Sequence, residues 1–206
     1  MTDTHLSTSP EALLALAQQG DEAALGALLE SFRNYLSLLA RMEVGRQLQT
    51  KVDVADIVQE TFLEAHRSLP SFRGSTEAEF VAWLRAVMAN RIANLTRHYL
   101  GTQRRDIRRE QTIEANLNQS SAMLDVGLFA DQSTPSQHVA KREQGVLLAE
   151  ALAKLPSDYR ETIILRHLEE LSFPEVAQRM NRSVDSVQKL WVRGLAQLRQ
   201  VMKGVE

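Results

Sequence analysis

Along nearly the whole of this 206-residue chain, apolar residues recur at the three- and four-residue spacing that puts them on one side of a helix. Runs of strict apolar–polar alternation, which would place one face of a strand against a core, are hard to find. Only 5 prolines and 9 glycines interrupt the pattern, so the fold class it dictates is all-α. Local signals divide the chain into helices. Ser9-Pro10 opens a short one to about Gln18, and Asp21 caps a longer one carrying Leu25, Leu28, Leu29, Phe32, Leu36 and Leu39. Asp53 starts a third, ending near Pro70. Thr76 with Glu79 is a capping box for a fourth that reaches about Tyr99, with Phe80, Leu84, Val87, Met88 and Leu95 on its apolar side.

From Gly101 to Ser133 the periodicity weakens and Gln, Asn, Ser, Thr and Gly127 break up the apolar positions. A stretch of this length is a linker, not a connection inside a compact domain. After it, Thr134-Pro135 with Gln137 signals a helix whose Leu148, Ala151, Leu152 and Leu155 share a face, and Pro156-Ser157 restarts the chain through about Leu168. Ser172 with Glu175 boxes a helix of barely two turns ending at Met180, and Ser183 caps a last helix to about Lys203. The expected architecture is two small helical domains joined by a flexible linker. Residues 1–20 form an N-terminal extension, 21–100 the first domain, 101–134 the linker and 135–206 the second domain.

Composition removes several function classes. No window approaches the ~20 apolar residues of a membrane span, and residues 1–10 lack the layout of a signal peptide, so a cytoplasmic protein is expected. Without a cysteine there is no disulfide, thiolate metal site or cysteine nucleophile. No metal or cofactor site is expected. There is no Gly-rich phosphate loop, and the five histidines are scattered. Ser186-Val187-Gln188-Lys189 matches Ser-x-x-Lys but lacks its companion motifs. An enzyme is therefore not expected. The net charge of −2 conceals alternating territories: residues 1–66 hold 4 basic and 10 acidic groups, 67–110 hold 9 and 4, 111–140 hold 0 and 3, and 141–206 hold 11 and 9. Partners have to be argued region by region.

Three regions carry a functional pattern. The segment from Phe173 to about Val192 reads as a helix-turn-helix, with Ala177 where the helices cross and Asn181 in the turn, where a left-handed backbone is tolerated. Val176, Met180, Val187 and Leu190 lock the two helices together. Arg182 takes a position the motif more often gives to an apolar residue. Beyond Ser183, Asp185, Ser186, Lys189 and Arg193 fall on one side with Gln188 beside them, offering acceptors, donors and cations to a major groove. An αα-hairpin with a solvated basic face has the same spacing. In the second region Asp53, Asp56, Glu60 and Glu64 form an acidic stripe on the third helix, with Gln59 beside it. That suits docking on a basic protein surface, or simply a solvated helix start favoured by the helix dipole. In the third, Phe72-Arg73-Gly74 precedes a helix with Trp83 early and Asn90, Arg91, Asn94, Arg97 and His98 late, a pattern for unstacked bases or for a core Trp and a solvated helix end.

Taken in order, Asp53-Val54-Ala55-Asp56-Ile57-Val58-Gln59-Glu60-Thr61-Phe62, then Phe72 to Trp83-Leu84, then Leu155-Pro156 through Arg193, the chain resembles the bacterial sigma-70 family, and within it the extracytoplasmic-function (ECF) group. The resemblance covers about residues 20–99 and 140–203. It implies a sigma-2 and a sigma-4 domain, with core RNA polymerase and promoter DNA as partners and an anti-sigma protein as an optional third. It further implies that Asp53, Asp56, Ile57, Gln59 and Glu60 bind the polymerase core. Phe72, Arg73, Trp83, Asn90, Arg91, Asn94 and Arg97 would read and help melt the minus-10 element. Arg182, Ser183, Asp185, Ser186, Gln188, Lys189 and Arg193 would read the minus-35 element. Gln188 and Trp191 stand where many members carry basic residues, Gly194 where Ala is usual and Asn94 where Asp is frequent. A stand-alone helix-turn-helix regulator is the alternative function.

Overall fold

The computed structural model describes residues 9–47, 53–100, 112–113, 115–120 and 138–204. Every regular element among them is helical: α1 (Pro10–Gln18), α2 (Glu22–Ser31), α3 (Arg33–Gln47), α4 (Val54–Ser68), a 3₁₀ turn (Leu69–Ser71), α5 (Glu77–Leu100), a short α6 at 115–120, α7 (His138–Ala153), α8 (Ser157–Ile163) continued by a π turn (Ile164–Leu168), α9 (Phe173–Arg179) and α10 (Val184–Lys203). The chain divides into two compact units, Met1–Ala40 with Thr50–Leu117, and Arg41–Gln49 with Asn118–Glu206.

Helix starts follow the local chemistry. The Ser9 hydroxyl accepts from Ala12 N–H at 3.3 Å, Asp21 from Ala24 N–H at 2.9 Å, Asp53 from Ala55 N–H at 2.9 Å and Ser183 from Ser186 N–H at 3.2 Å. The single helix expected from Asp21 through Leu39 is instead two. Ser31 donates its hydroxyl to the Leu28 carbonyl at 2.7 Å, and Phe32 leaves helical geometry at φ −101°, ψ 1°. A serine bonded back into the preceding turn competes with the helix ladder, and the break lets Phe32 turn into the core, where it is buried.

In the first unit, Leu28, Phe32, Leu36, Leu39, Ile57, Val58, Phe80, Leu84 and Met88 are fully or nearly fully buried. The expected linker also holds ordered structure: residues 112–113 and 115–120 are helical, and Ile113 and Leu117, four apart, are both buried. The i,i+4 spacing puts both side chains on one side of the chain, and burial of that side is what a helix this short needs to form. Thr134, Pro135 and Gln137, the expected start signals of α7, lie outside the described residues. The core of the second unit contains Leu148, Ala151, Leu152, Leu155, Ile163, Ile164, Leu165, Leu168, Val176, Val187 and Leu198.

Candidate nucleic-acid interface

In the second unit α9 and α10 form a compact helical corner. Asn181 has φ +50°, the left-handed conformation the turn demands. Arg182 N–H bonds the Ala177 carbonyl at 2.9 Å and Asn181 N–H the Gln178 carbonyl at 3.2 Å, which closes the end of α9. Val176, Ala177 and Val187 are buried together with Leu165, and Leu171, Phe173 and Met180 pack around them. At the start of α9 the Glu175 carboxylate accepts from both the hydroxyl and the N–H of Ser172, at 2.6 and 2.7 Å. These two bonds, the hydroxyl first, hold the Glu175 carboxyl below its ordinary pKa.

The packing leaves one side of α10 outward: Asp185, Gln188, Lys189, Val192 and Arg193 are exposed, whereas Ser186 is half-buried. Lys189 is paired along the helix with Asp185 at 2.7 Å. Arg182 is turned away from this face and bonds Asp158 at 2.6 Å. Ser183 spends its hydroxyl capping α10. Val192, 58% exposed, lies one turn from Gln188 on the same face; the i,i+4 spacing from Gln188 is the signal that would have found it. Trp191 points the other way. Its indole N–H donates to His167 Nε2 at 2.8 Å with the two rings stacked at 5.9 Å, and Phe173 meets it edge-on at 5.6 Å. Burial and then the charge of Arg166 depress the His167 pKa, which keeps the accepting imidazole neutral.

In the first unit, the loop between the 3₁₀ turn and α5 is folded around aromatic rings. The Phe72 ring lies 5.0 Å from Trp83 and 5.8 Å from Phe80, and Phe80 lies 5.9 Å from Phe32. Trp83 is half-buried, partly core and partly accessible. A side chain at position 74 would place its Cβ 2.4 Å from Phe72 Cζ, so the ring's approach to the backbone requires Gly74. Glu79 accepts from Ser75 N–H at 2.9 Å, from the Thr76 hydroxyl at 2.9 Å and from Thr76 N–H at 3.1 Å, which lowers its pKa. Arg73 donates to the Pro70 carbonyl at 2.7 Å and lies exposed on the loop.

The acidic stripe of α4 separates into distinct roles. Asp53 caps its own helix, Asp56 and Gln59 are exposed, and Glu64 lies 3.8 Å from Arg67. Glu60 is ion-paired across to Arg91 on α5. Ile57, expected with these residues in the polymerase-binding set, is fully buried on the α4 face that packs inward, where an apolar residue is needed. Trp83, Asn90, Arg91 and Asn94 come together with Glu60, Leu63 and Arg67 along a groove of about 680 Å³ between α4 and α5, with Asn90 and Asn94 exposed. The side chain of Arg97 lies outside the described residues.

Family models match twice: sigma-70 region 2 over residues 30–104 and sigma-70 region 4 over residues 146–198. The ECF RNA polymerase sigma-E factor of Haemophilus influenzae is 33% identical over 178 residues, covering 86% of each chain. That of Escherichia coli K12 is 29% identical over 177 residues, covering 86% of this chain and 85% of its own. Among solved structures, CnrH in complex with the cytosolic domain of CnrY aligns over 96% of this chain and 99% of that one at 24% identity, with a TM-score of 0.37. Both region matches fall in the order in which the loop, the α5 face and the helix-turn-helix occur, and the curated relatives extend the likeness across the chain. The chain belongs to the sigma-70 family, in its extracytoplasmic-function group of RNA polymerase sigma factors.

Proposed function

We propose that this sigma factor directs core RNA polymerase to promoters through three separate surfaces, and that it acts by binding, without catalysis. The observation that carries this reading is the outward face of α10. Behind a correctly turned Asn181, it presents Gln188, Lys189, Val192 and Arg193 to a groove. Gln188 is built to bond adenine, Arg193 to bond guanine or a phosphate, and Val192 to touch a thymine methyl group. Arg182 and Ser183, both engaged within the protein, serve to fix the turn.

The minus-10 element falls to the Phe72-Arg73 loop, Trp83 and the α5 face with Asn90, Arg91 and Asn94, supported by the half-exposed aromatic surface and the groove beside it. Polymerase core docks on Asp53, Asp56 and Gln59, the exposed part of the α4 stripe, with Glu60 holding α5 in place. An anti-sigma protein is a natural regulator of such a chain, competing for these surfaces. No helix among the described residues is long and apolar enough to cross a membrane.

Run-off transcription with purified core enzyme tests the proposal. A promoter-specific transcript is expected only when this protein is added. Binding to duplex promoter without polymerase, combined with no transcript from any genomic fragment, would instead identify a stand-alone regulator. On the minus-35 side, Arg193→Ala is expected to cost about 1–3 kcal/mol if the contact is bidentate to a base. If the contact is to a phosphate, it should lower the salt slope of binding by about 1. Fluorescence anisotropy at several salt concentrations separates the two.

A further inference from the structure

The N-terminal helix α1 makes a contact that the assigned surfaces do not explain. At its last turn, Gln18 Nε2 donates to the carbonyl of Gly74 at 2.8 Å, 56 residues along the chain. That carbonyl belongs to the loop carrying Phe72 and Arg73, at the position where the Phe72 ring leaves no room for a side chain. The end of α1 is itself held in place, because Leu14 and Ala17 of its last turns are buried. Gly20 turns the chain at φ +95°, and its N–H bonds the Ala17 carbonyl at 3.0 Å, while Asp21 N–H bonds the Leu16 carbonyl at 3.1 Å. Gln18 therefore extends from a fixed point. Ala17, Gln18, Gly20, Phe72, Arg73 and Gly74 line an open groove of about 450 Å³ between helix end and loop.

We propose that Gln18 is a positioning residue for promoter recognition: by tying the Gly74 carbonyl to α1, it sets where Phe72 and Arg73 stand and thereby sharpens base preference at the minus-10 element. The residue touches no DNA and acts through the loop. The loop's side-chain hydrogen bonds to Glu79 and from Arg73 to Pro70 are short-range, and the Phe72 ring packs on Phe80 and Trp83 of α5. They shape the loop without fixing it to the helix end beyond it. The Gln18 bond supplies that anchor.

This inference rests on the minus-10 reading above. The test uses full-length protein with core polymerase and a panel of promoters differing at single minus-10 positions, scored by run-off transcription. Gln18→Ala and Gln18→Glu remove the donor, and Gln18→Lys keeps one. Phe72→Ala reports on the loop itself, and thermal unfolding is followed in parallel. In Gln18→Ala and Gln18→Glu, the ratio of the best to the second-best promoter is expected to fall about 2- to 10-fold, the range that one net hydrogen bond supports. Gln18→Lys should restore it, and dependence on the minus-35 sequence should stay as in the wild type. A uniform loss on every promoter, or a loss that tracks the unfolding temperature and is not rescued by Gln18→Lys, would reduce Gln18 to a structural contact and overturn the proposal. If Phe72→Ala flattens the preference while Gln18→Ala leaves it intact, the positioning role fails and the minus-10 reading stands. If neither changes it, the minus-10 reading fails and takes the proposal with it.

Discussion

Single residues set how stable the helix-turn-helix is. Asn181 holds φ +50°, a conformation that costs a β-branched residue far more than it costs Asn or Gly. Asn181→Val is expected to destabilise the protein by about 1–2 kcal/mol, whereas Asn181→Gly should be close to neutral; urea unfolding followed by circular dichroism measures both. Trp191 and His167 supply a pH-dependent anchor for α10. The imidazole must be neutral to accept the indole N–H, and burial together with Arg166 keeps it so in the folded protein. Because the folded-state pKa lies below the ordinary 6.5, the unfolded chain takes up the proton first as the solution is acidified. The stabilisation is therefore complete above about pH 6.5 and is lost as pH falls through the lower folded-state value. Melting temperatures of wild type and Trp191→Phe should differ most above about pH 6.5 and converge as the pH falls through the lower folded-state value of His167. Trp191 was legible as a departure from the family pattern, but its partner was not, because His167 is 24 residues away and belongs to the π turn before α9.

Elements follow local chemistry closely. The starts of α1, α2, α4, α9 and α10 all use side chains whose bonds span two or three residues, so Ser9, Asp21, Asp53, Ser172 and Ser183 could be read directly from the sequence. The division between α2 and α3 at Phe32 could not. The apolar spacing continues through it, and the break depends on a Ser31 hydroxyl choosing a backbone carbonyl over water. The α4–α5 pairing adds an expectation at this scale. Glu60 and Arg91 are partly exposed ion-pair partners, so Glu60→Gln or Arg91→Ala alone should cost no more than about 1 kcal/mol. A double-mutant cycle read by chemical denaturation should return a coupling energy of a few tenths to about 1 kcal/mol. Near-zero coupling would leave Glu60 free for a polymerase contact.

For the whole molecule, the net charge of −2 is a cancellation between acidic and basic regions of the chain. The exposed acids of α4 and the exposed cations of α10 lie in separate compact units, so their functions should separate by mutation. Asp56→Lys is expected to weaken binding to core polymerase, measured by competition with another sigma factor. It should leave the unfolding temperature, and the minus-35 binding of the full chain, as they are. What the sequence determined by itself was most of what depends on near neighbours along the chain: the all-α class, the helix caps, the left-handed turn residue, the charge territories and the order of motifs that marks the family. Tertiary structure alone decided which members of those patterns are free. It buried Ile57, tied Glu60 to Arg91 and Arg182 to Asp158, turned Trp191 inward, exposed Val192, folded residues 115–120 into a helix and joined Gln18 to Gly74. The reason is common to all of them. A pattern of spacing fixes which side of a helix a residue occupies, but whether that side meets water, a partner or another helix depends on residues tens of positions away.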